Sequence, residues 1–156
     1  MKSAQFSMTR RDVPMAELAG KASHQTLAVW AIECAGRVLP YFEQRNTHDG
    51  RPRRAIETLK HWLDTGVFSM AVIRKASLDA HAAAREVGED SPARSAARAA
   101  GQAVATAHVR RHAIGSAIYA QQAVFRAAEP SKAEAAAVAE RDWQYRRLRA
   151  LAENPA

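Results

Sequence analysis

The chain of 156 residues carries 23 Lys and Arg against 16 Asp and Glu, a formal net charge of +7, and its 47% hydrophobic content includes only 6% aromatics. One domain of this size buries a substantial core without staples, and its single cysteine, Cys34, excludes an intramolecular disulfide. No apolar stretch approaches the roughly 20 residues of a membrane-spanning helix, while the basic surplus permits attraction to nucleic acid, an anionic surface or an acidic protein without choosing among them.

Met1–Arg11 is polar and lacks periodicity, which predicts a mobile tail. It has basic residues but no apolar run, so it does not read as a secretory signal, and a cytoplasmic protein is expected. A short helix follows, with Asp12 and Pro14 at its start. The next begins near His24. Leu27, Trp30, Ala31, Cys34, Val38, Tyr41 and Phe42 recur at spacings of three and four, a broad stripe that predicts burial. Pro40 lacks a backbone donor and crowds the carbonyl of Gly36, which predicts a kink or a new turn there.

Residues 46–52 are a loop by composition, and a third helix is expected from Pro52 to Thr65, with Ala55, Ile56, Leu59, Trp62 and Leu63 inward. Gly66 stands where a left-handed C-cap is wanted. Ser69 is a candidate cap for helix four, whose narrow seam is Ile73, Ala76, Ala80, Ala83 and Val87.

Ser91–Glu129 is the longest uninterrupted helical stretch, alanine-rich, with Ser91 as N-cap and Pro92 as first helical residue. As a single rod it would run roughly 55 Å, too long for a globule with a radius of gyration of about 15 Å. A break is expected among the weak helix formers Thr106, His108, Val109 and His112. The last helix shows a capping-box pattern, Ser131-Lys-Ala-Glu134, with Trp143, Leu148 and Leu151 in its body and Asp142 four residues before Arg146. No strand-like alternation occurs. The fold class is therefore all-α: one compact domain of five to seven helices around the Trp30–Phe42 stripe and the alanine-rich stretch, whose close-packing faces also suit a homodimer.

Several residue groups invite a functional reading. Arg51, Arg53 and Arg54 crowd a helix start whose dipole prefers acids. They form either an internal salt network with Glu43, Asp49 or Glu57, or a site for an anion or an acidic partner. On the network reading Arg54 is expected to pair with Glu43 or Glu57, and Arg51 to stay exposed. His108 and His112 lie four apart, and His81 or Asp79 would be needed to complete a polar or metal site. Cys34, beside Trp30 and Val38, reads as a small buried hydrophobe rather than a reactive thiol. Arg94 and Arg98, Arg110 and Arg111, and Arg141, Arg146, Arg147 and Arg149 would favour nucleic acid only if they shared a face with exposed aromatics. Glu33, Glu43, Glu57, Asp79 and Glu86 form no catalytic pattern in sequence, and no Ser/His/Asp set stands out.

Four stretches carry a resemblance: Trp30-Ala-Ile-Glu-Cys-Ala-Gly-Arg-Val-Leu-Pro-Tyr-Phe-Glu43, Arg51-Pro-Arg-Arg-Ala-Ile-Glu57, Ala80-His-Ala-Ala-Ala-Arg-Glu86 and Ala96-Ala-Arg-Ala-Ala-Gly-Gln-Ala-Val-Ala-Thr-Ala-His108. In this order, over about residues 24–125, the chain resembles the immunity-five-like group of immunity proteins from bacterial polymorphic toxin systems. The resemblance implies a small cytoplasmic helical protein that binds a cognate toxin and blocks it, with no reaction and no cofactor. The alternatives left open by the residues are a basic helical protein associated with nucleic acid, and an enzyme or metal-binding protein with a site near His81, His108 and His112.

Overall fold

The computed structural model describes residues 5–7 and 12–154. Among them are seven α-helices and no strand: α1 (Asp12–Lys21), α2 (His24–Glu43), α3 (Arg51–Thr65), α4 (Met70–Glu86), α5 (Pro92–Ala105), α6 (His112–Ala127) and α7 (Ala133–Glu153), with a 3-10 turn over Pro130–Lys132. The tail expected over Met1–Arg11 lies outside the described residues except at 5–7, where the Phe6 ring meets Phe125 edge-on, centroids 5.7 Å apart.

The centre of the fold is α5, which packs against α2, α3, α4 and α6. Contact on so many sides requires small side chains, since bulk on any of them would hold a neighbour away. Ala93, Ala96, Ala97, Ala99, Ala100 and Ala103 meet the requirement, all without exposed surface. Gly101 carries it further: a Cβ there would stand 2.7 Å from Nε2 of His81 on α4. Gly115 does the same for α6, where a Cβ would stand 2.7 Å from Oε1 of Gln102. The alanine faces that suited a homodimer are thus buried inside the single chain.

The stripe of α2 supplies the bulk that α5 lacks. Trp30, Cys34, Val38 and Phe42 are buried, and Tyr41 is half-buried. Trp30 Nε1 donates to the carbonyl of Gln144, 2.9 Å away, tying α2 to α7. Pro40 is accommodated without ending the helix, because it falls in the last turn of α2 and its own carbonyl still accepts from Gln44 N at 3.0 Å.

The break in the long stretch falls at 106–111, among the residues whose propensities predicted it. Two side chains fasten it. His24 Nε2 lies 2.5 Å from the carbonyl of Thr106, and Arg110 donates to the carbonyl of Ala22 just beyond α1. Ser23, Ser69 and Ser91 accept from the backbone N–H three residues on, capping α2, α4 and α5, and Gly66 adopts φ 69° at the end of α3.

The last helix begins differently from its sequence signature. Pro130 opens a 3-10 turn in which Lys132 N bonds to the carbonyl of Glu129 at 2.8 Å. Ser131 sits inside that turn rather than at an extended cap, so Lys132 becomes the N-cap and no side chain caps α7. Along α7, Leu148 and Leu151 are buried as expected, but Trp143 is only half-buried, lying under the Arg37 guanidinium at 3.8 Å. Asp142 and Arg146 form no ion pair among the described residues.

Candidate partner-binding surface

The start of α3 combines a poor cap with three arginines. Gly50 is the N-cap and offers no side chain. Asp49 replaces it, since its Oδ1 accepts from Arg51 N at 3.1 Å and its Oδ2 from Arg51 Nη2 at 2.8 Å. Arg51 also donates to Glu86 at the end of α4, so one guanidinium joins two helix ends. Hydrogen bonds from Arg51 hold both the Asp49 and Glu86 carboxyls below the usual range. Arg53 pairs with Glu43, Nε to Oε2 at 2.7 Å. Arg54 is exposed and makes no ion pair among the described residues; its guanidinium lies over Gly50.

The network expected from the sequence exists, but its members are exchanged. Arg54 does not pair with Glu43 or Glu57, and Arg51 is not the exposed residue. The helical phase explains why. Asp49 precedes Arg51 by two residues and turns back on it, while α4 ends beside Arg51; Arg53 faces the end of α2, and Arg54 points along the outer edge between α3 and α4.

That edge is grooved. A cavity of about 200 Å³ is lined by Arg51, Arg54, Thr58, Val72, Lys75 and Asp79. A second, about 150 Å³, shares Thr58 and Val72 and continues to His61, Trp62, Val67 and Ile73. The first is charged and the second mainly apolar. Val67 and Val72 on the groove wall, with Phe68 and Met70 beside them in the chain, are exposed at 67%, 55%, 47% and 41%. Phe68 stacks on His108, ring centroids 6.2 Å apart, so the corner after α3 touches the break between α5 and α6.

The three histidines have separate settings. His81 is packed against Gly101 and lies 3.4 Å from Nη1 of Arg98. Burial, with the nearby Arg98 and Arg85, depresses its pKa to about 4. His112 Nδ1 meets Gln102 Oε1 at 2.8 Å, and burial also lowers its pKa. His108 is at the surface with Phe68. Among the described residues no three His, Cys, Asp or Glu side chains are grouped as metal ligands.

The remaining candidates are largely absorbed into the fold. Cys34 is fully buried, and that burial pushes its thiol pKa well up. The acids do not converge: Glu33 pairs with Arg147, Glu43 with Arg53, Asp79 with Lys75 and Glu86 with Arg51. The C-terminal arginines point in different directions, with Arg141 buried against Asp12, Arg147 on Glu33 and Arg149 above Tyr145.

The exposed corner was not singled out from the sequence, although a signal was present. Val67-Phe-Ser-Met-Ala-Val72 is an apolar run around the cap of α4, and most of it lies outside the seam of Ile73, Ala76 and Ala80. The grouping of Arg126 with Arg94 and Arg98 had no sequence signal, because it depends on how α6 folds back on α5.

Nothing among curated proteins and nothing among solved structures matches the chain. A family model does, over residues 17–151, beyond both ends of the motifs that carried the resemblance, and the chain belongs to that family, described as Imm-5 like putative immunity protein.

Proposed function

We propose that the protein is a non-catalytic immunity protein that binds a cognate bacterial toxin in the cytoplasm and blocks it, and that the α3–α4 edge makes the contact. The observations that support the surface are the exposed Val67, Phe68 and Val72 at one end of this edge, and Arg54, without an ion pair among the described residues, which shares a groove with Val72 toward the other end. Exposed apolar groups gathered at one place mark interaction sites more often than scattered ones do. An aromatic anchor with a charged rim is also the composition of an interface hot spot. The fitting partner surface presents an apolar socket for Phe68 with a carboxylate within reach of Arg54.

The test is co-expression with the products of neighbouring genes. The intact protein is expected to co-purify with one of them and to restore growth to cells making it. Phe68→Ala, at an exposed position, should leave the melting temperature nearly unchanged and weaken binding at least about tenfold. Binding unaffected by Phe68→Ala and Arg54→Ala would place the toxin on another face. Failure of every neighbouring product to bind would remove the immunity reading itself.

A further inference from the structure

Arg94 and Arg126 converge on one acid, Asp90, and Arg98 stands one turn along α5, its charge felt at Arg126. Arg94 and Arg98 stand one turn apart on α5, and Arg126 comes from the last turn of α6. Two of them are anchored. Arg94 Nε donates to the carbonyl of Ala84 near the end of α4, at 3.2 Å. Arg126 Nη1 donates to Ser95 Oγ at 3.0 Å, and Ser95 in turn donates to Gln122 Oε1 at 2.9 Å. Their remaining reach goes to one oxygen: Asp90 Oδ1 is 3.1 Å from Arg94 Nη1 and 3.6 Å from Arg126 Nη2.

Asp90 is a weak match for this setting. Its side chain is 74% exposed and lies in the short connection between α4 and α5, whereas Arg94 and Arg126 are 22% and 23% exposed. Arg98 has no carboxylate among the described residues; its only hydrogen-bond neighbour there is His81, uncharged at neutral pH. Burial lowers the Arg126 pKa; the Asp90 carboxylate opposes this, and the positive charges of Arg94 and Arg98 add to it. Three guanidiniums and one carboxylate leave two positive charges held together in a partly dehydrated place. A doubly charged oxyanion neutralises that surplus, and planar guanidinium forks match its oxygens.

The geometry points to a binding site for a small phosphate-type oxyanion at Arg94, Arg98 and Arg126, entered by displacing the Asp90 carboxylate. This site is independent of the α3–α4 edge and of any toxin. Asp90 holds Arg94 and Arg126 in place when the site is empty and competes with the ligand.

The experiment is thermal unfolding of the full chain in sodium phosphate against sodium chloride at equal ionic strength, near pH 7, with calorimetric titration of inorganic phosphate. Phosphate tenfold above its dissociation constant is expected to raise Tm by a few degrees over chloride. Asp90→Asn should bind phosphate several-fold more tightly, since the competing charge is gone. Arg98→Gln, which breaks no ion pair, should weaken binding at least tenfold while the protein stays folded in chloride. Equal Tm in the two salts would overturn the site. So would a phosphate response that persists undiminished in Arg98→Gln, or one that Asp90→Asn weakens. Stronger stabilisation by malonate than by phosphate would overturn the phosphate assignment.

Discussion

Asp12 and Arg141 meet 129 positions apart in the chain, Nε to Oδ1 at 2.7 Å, with side chains 6% and 2% exposed. The pair fastens α1 to α7, two helices that otherwise share little contact. A buried pair of this kind adds little net stability over a well-packed apolar substitute, but removing one partner strands the other. Asp12→Ala is therefore expected to cost about 3–5 kcal/mol. Arg141→Met, which removes the charge and keeps most of the volume, should also break the pair, whereas Asp12→Leu with Arg141→Met should recover much of the loss. Urea denaturation of the two single variants and the double variant checks this. Additive losses would mean the ion pair is not the link between the helices.

The arginines at the start of α3 make opposite predictions from those their order in the sequence suggests. Arg51 is held by Asp49 and Glu86 and joins α3 to α4. Arg51→Ala should lower stability by about 1 kcal/mol, the upper end for partly exposed pairs. Arg54→Ala, with no ion pair to lose, should stay within about 0.5 kcal/mol of the parent. Melting temperatures of the two variants, measured side by side, decide it. A larger loss for Arg54→Ala would contradict the observed pairing.

Two glycines in helix interiors should respond in opposite directions to alanine. Gly36 in α2 is exposed, and a Cβ there would meet nothing within 4 Å. Gly36→Ala should stabilise by about 0.5–1 kcal/mol through helix propensity alone. Gly101→Ala gains the same propensity but drives a methyl group to 2.7 Å from the half-buried His81 ring of α4. Overpacking of this kind costs about 1–3 kcal/mol, so the net effect is expected to be destabilising. Pairing it with His81→Ala should relieve the clash. Denaturant midpoints of the three variants are the measurement.

How much of this was legible in the sequence follows from the range of the forces involved. Helix starts and stops are local, and Ser69, Ser91 and Gly66 appear where their chemistry placed them. The break at 106–111 was visible because the length of one rod conflicts with the size of the globule. The cap of α7 was missed because Pro130 pulls Ser131 into a 3-10 turn, a choice between two local geometries that the same residues permit. The arginine partners were less legible still. Which carboxylate Arg51 reaches depends on where the end of α4 comes to rest, and that is decided by alanine packing around α5. The apolar corner is the reverse case: its run of side chains was in plain view, but only the packing shows that no other helix among the described residues covers it.

His81 should make the protein acid-sensitive well above the range where carboxylates titrate. Its folded-state pKa is about 4, lowered by burial first and then by Arg98, Arg85 and His112. In the unfolded chain a histidine titrates near pH 6.5. Between these values the unfolded state binds a proton that the folded state does not, so unfolding is favoured as pH falls. The stability linked to His81 is therefore fully present above about pH 6.5 and lost progressively toward about pH 4. The full shift corresponds to about 3 kcal/mol, but His81 is only partly buried, and about 1–2 kcal/mol is the realistic loss after solvent screening. His112, also lowered by burial, adds a contribution of the same sign. Glu43, Asp49 and Glu86 are held below their ordinary range, so their losses begin only at lower pH. His81→Asn, whose amide oxygen can replace Nδ1 as the acceptor for Arg98, removes the titrating group. Urea midpoints at pH 7 and pH 5 should fall less in His81→Asn than in the parent. Equal falls in both proteins would show that His81 is protonated without cost in the fold, contrary to its packing against Gly101 of α5.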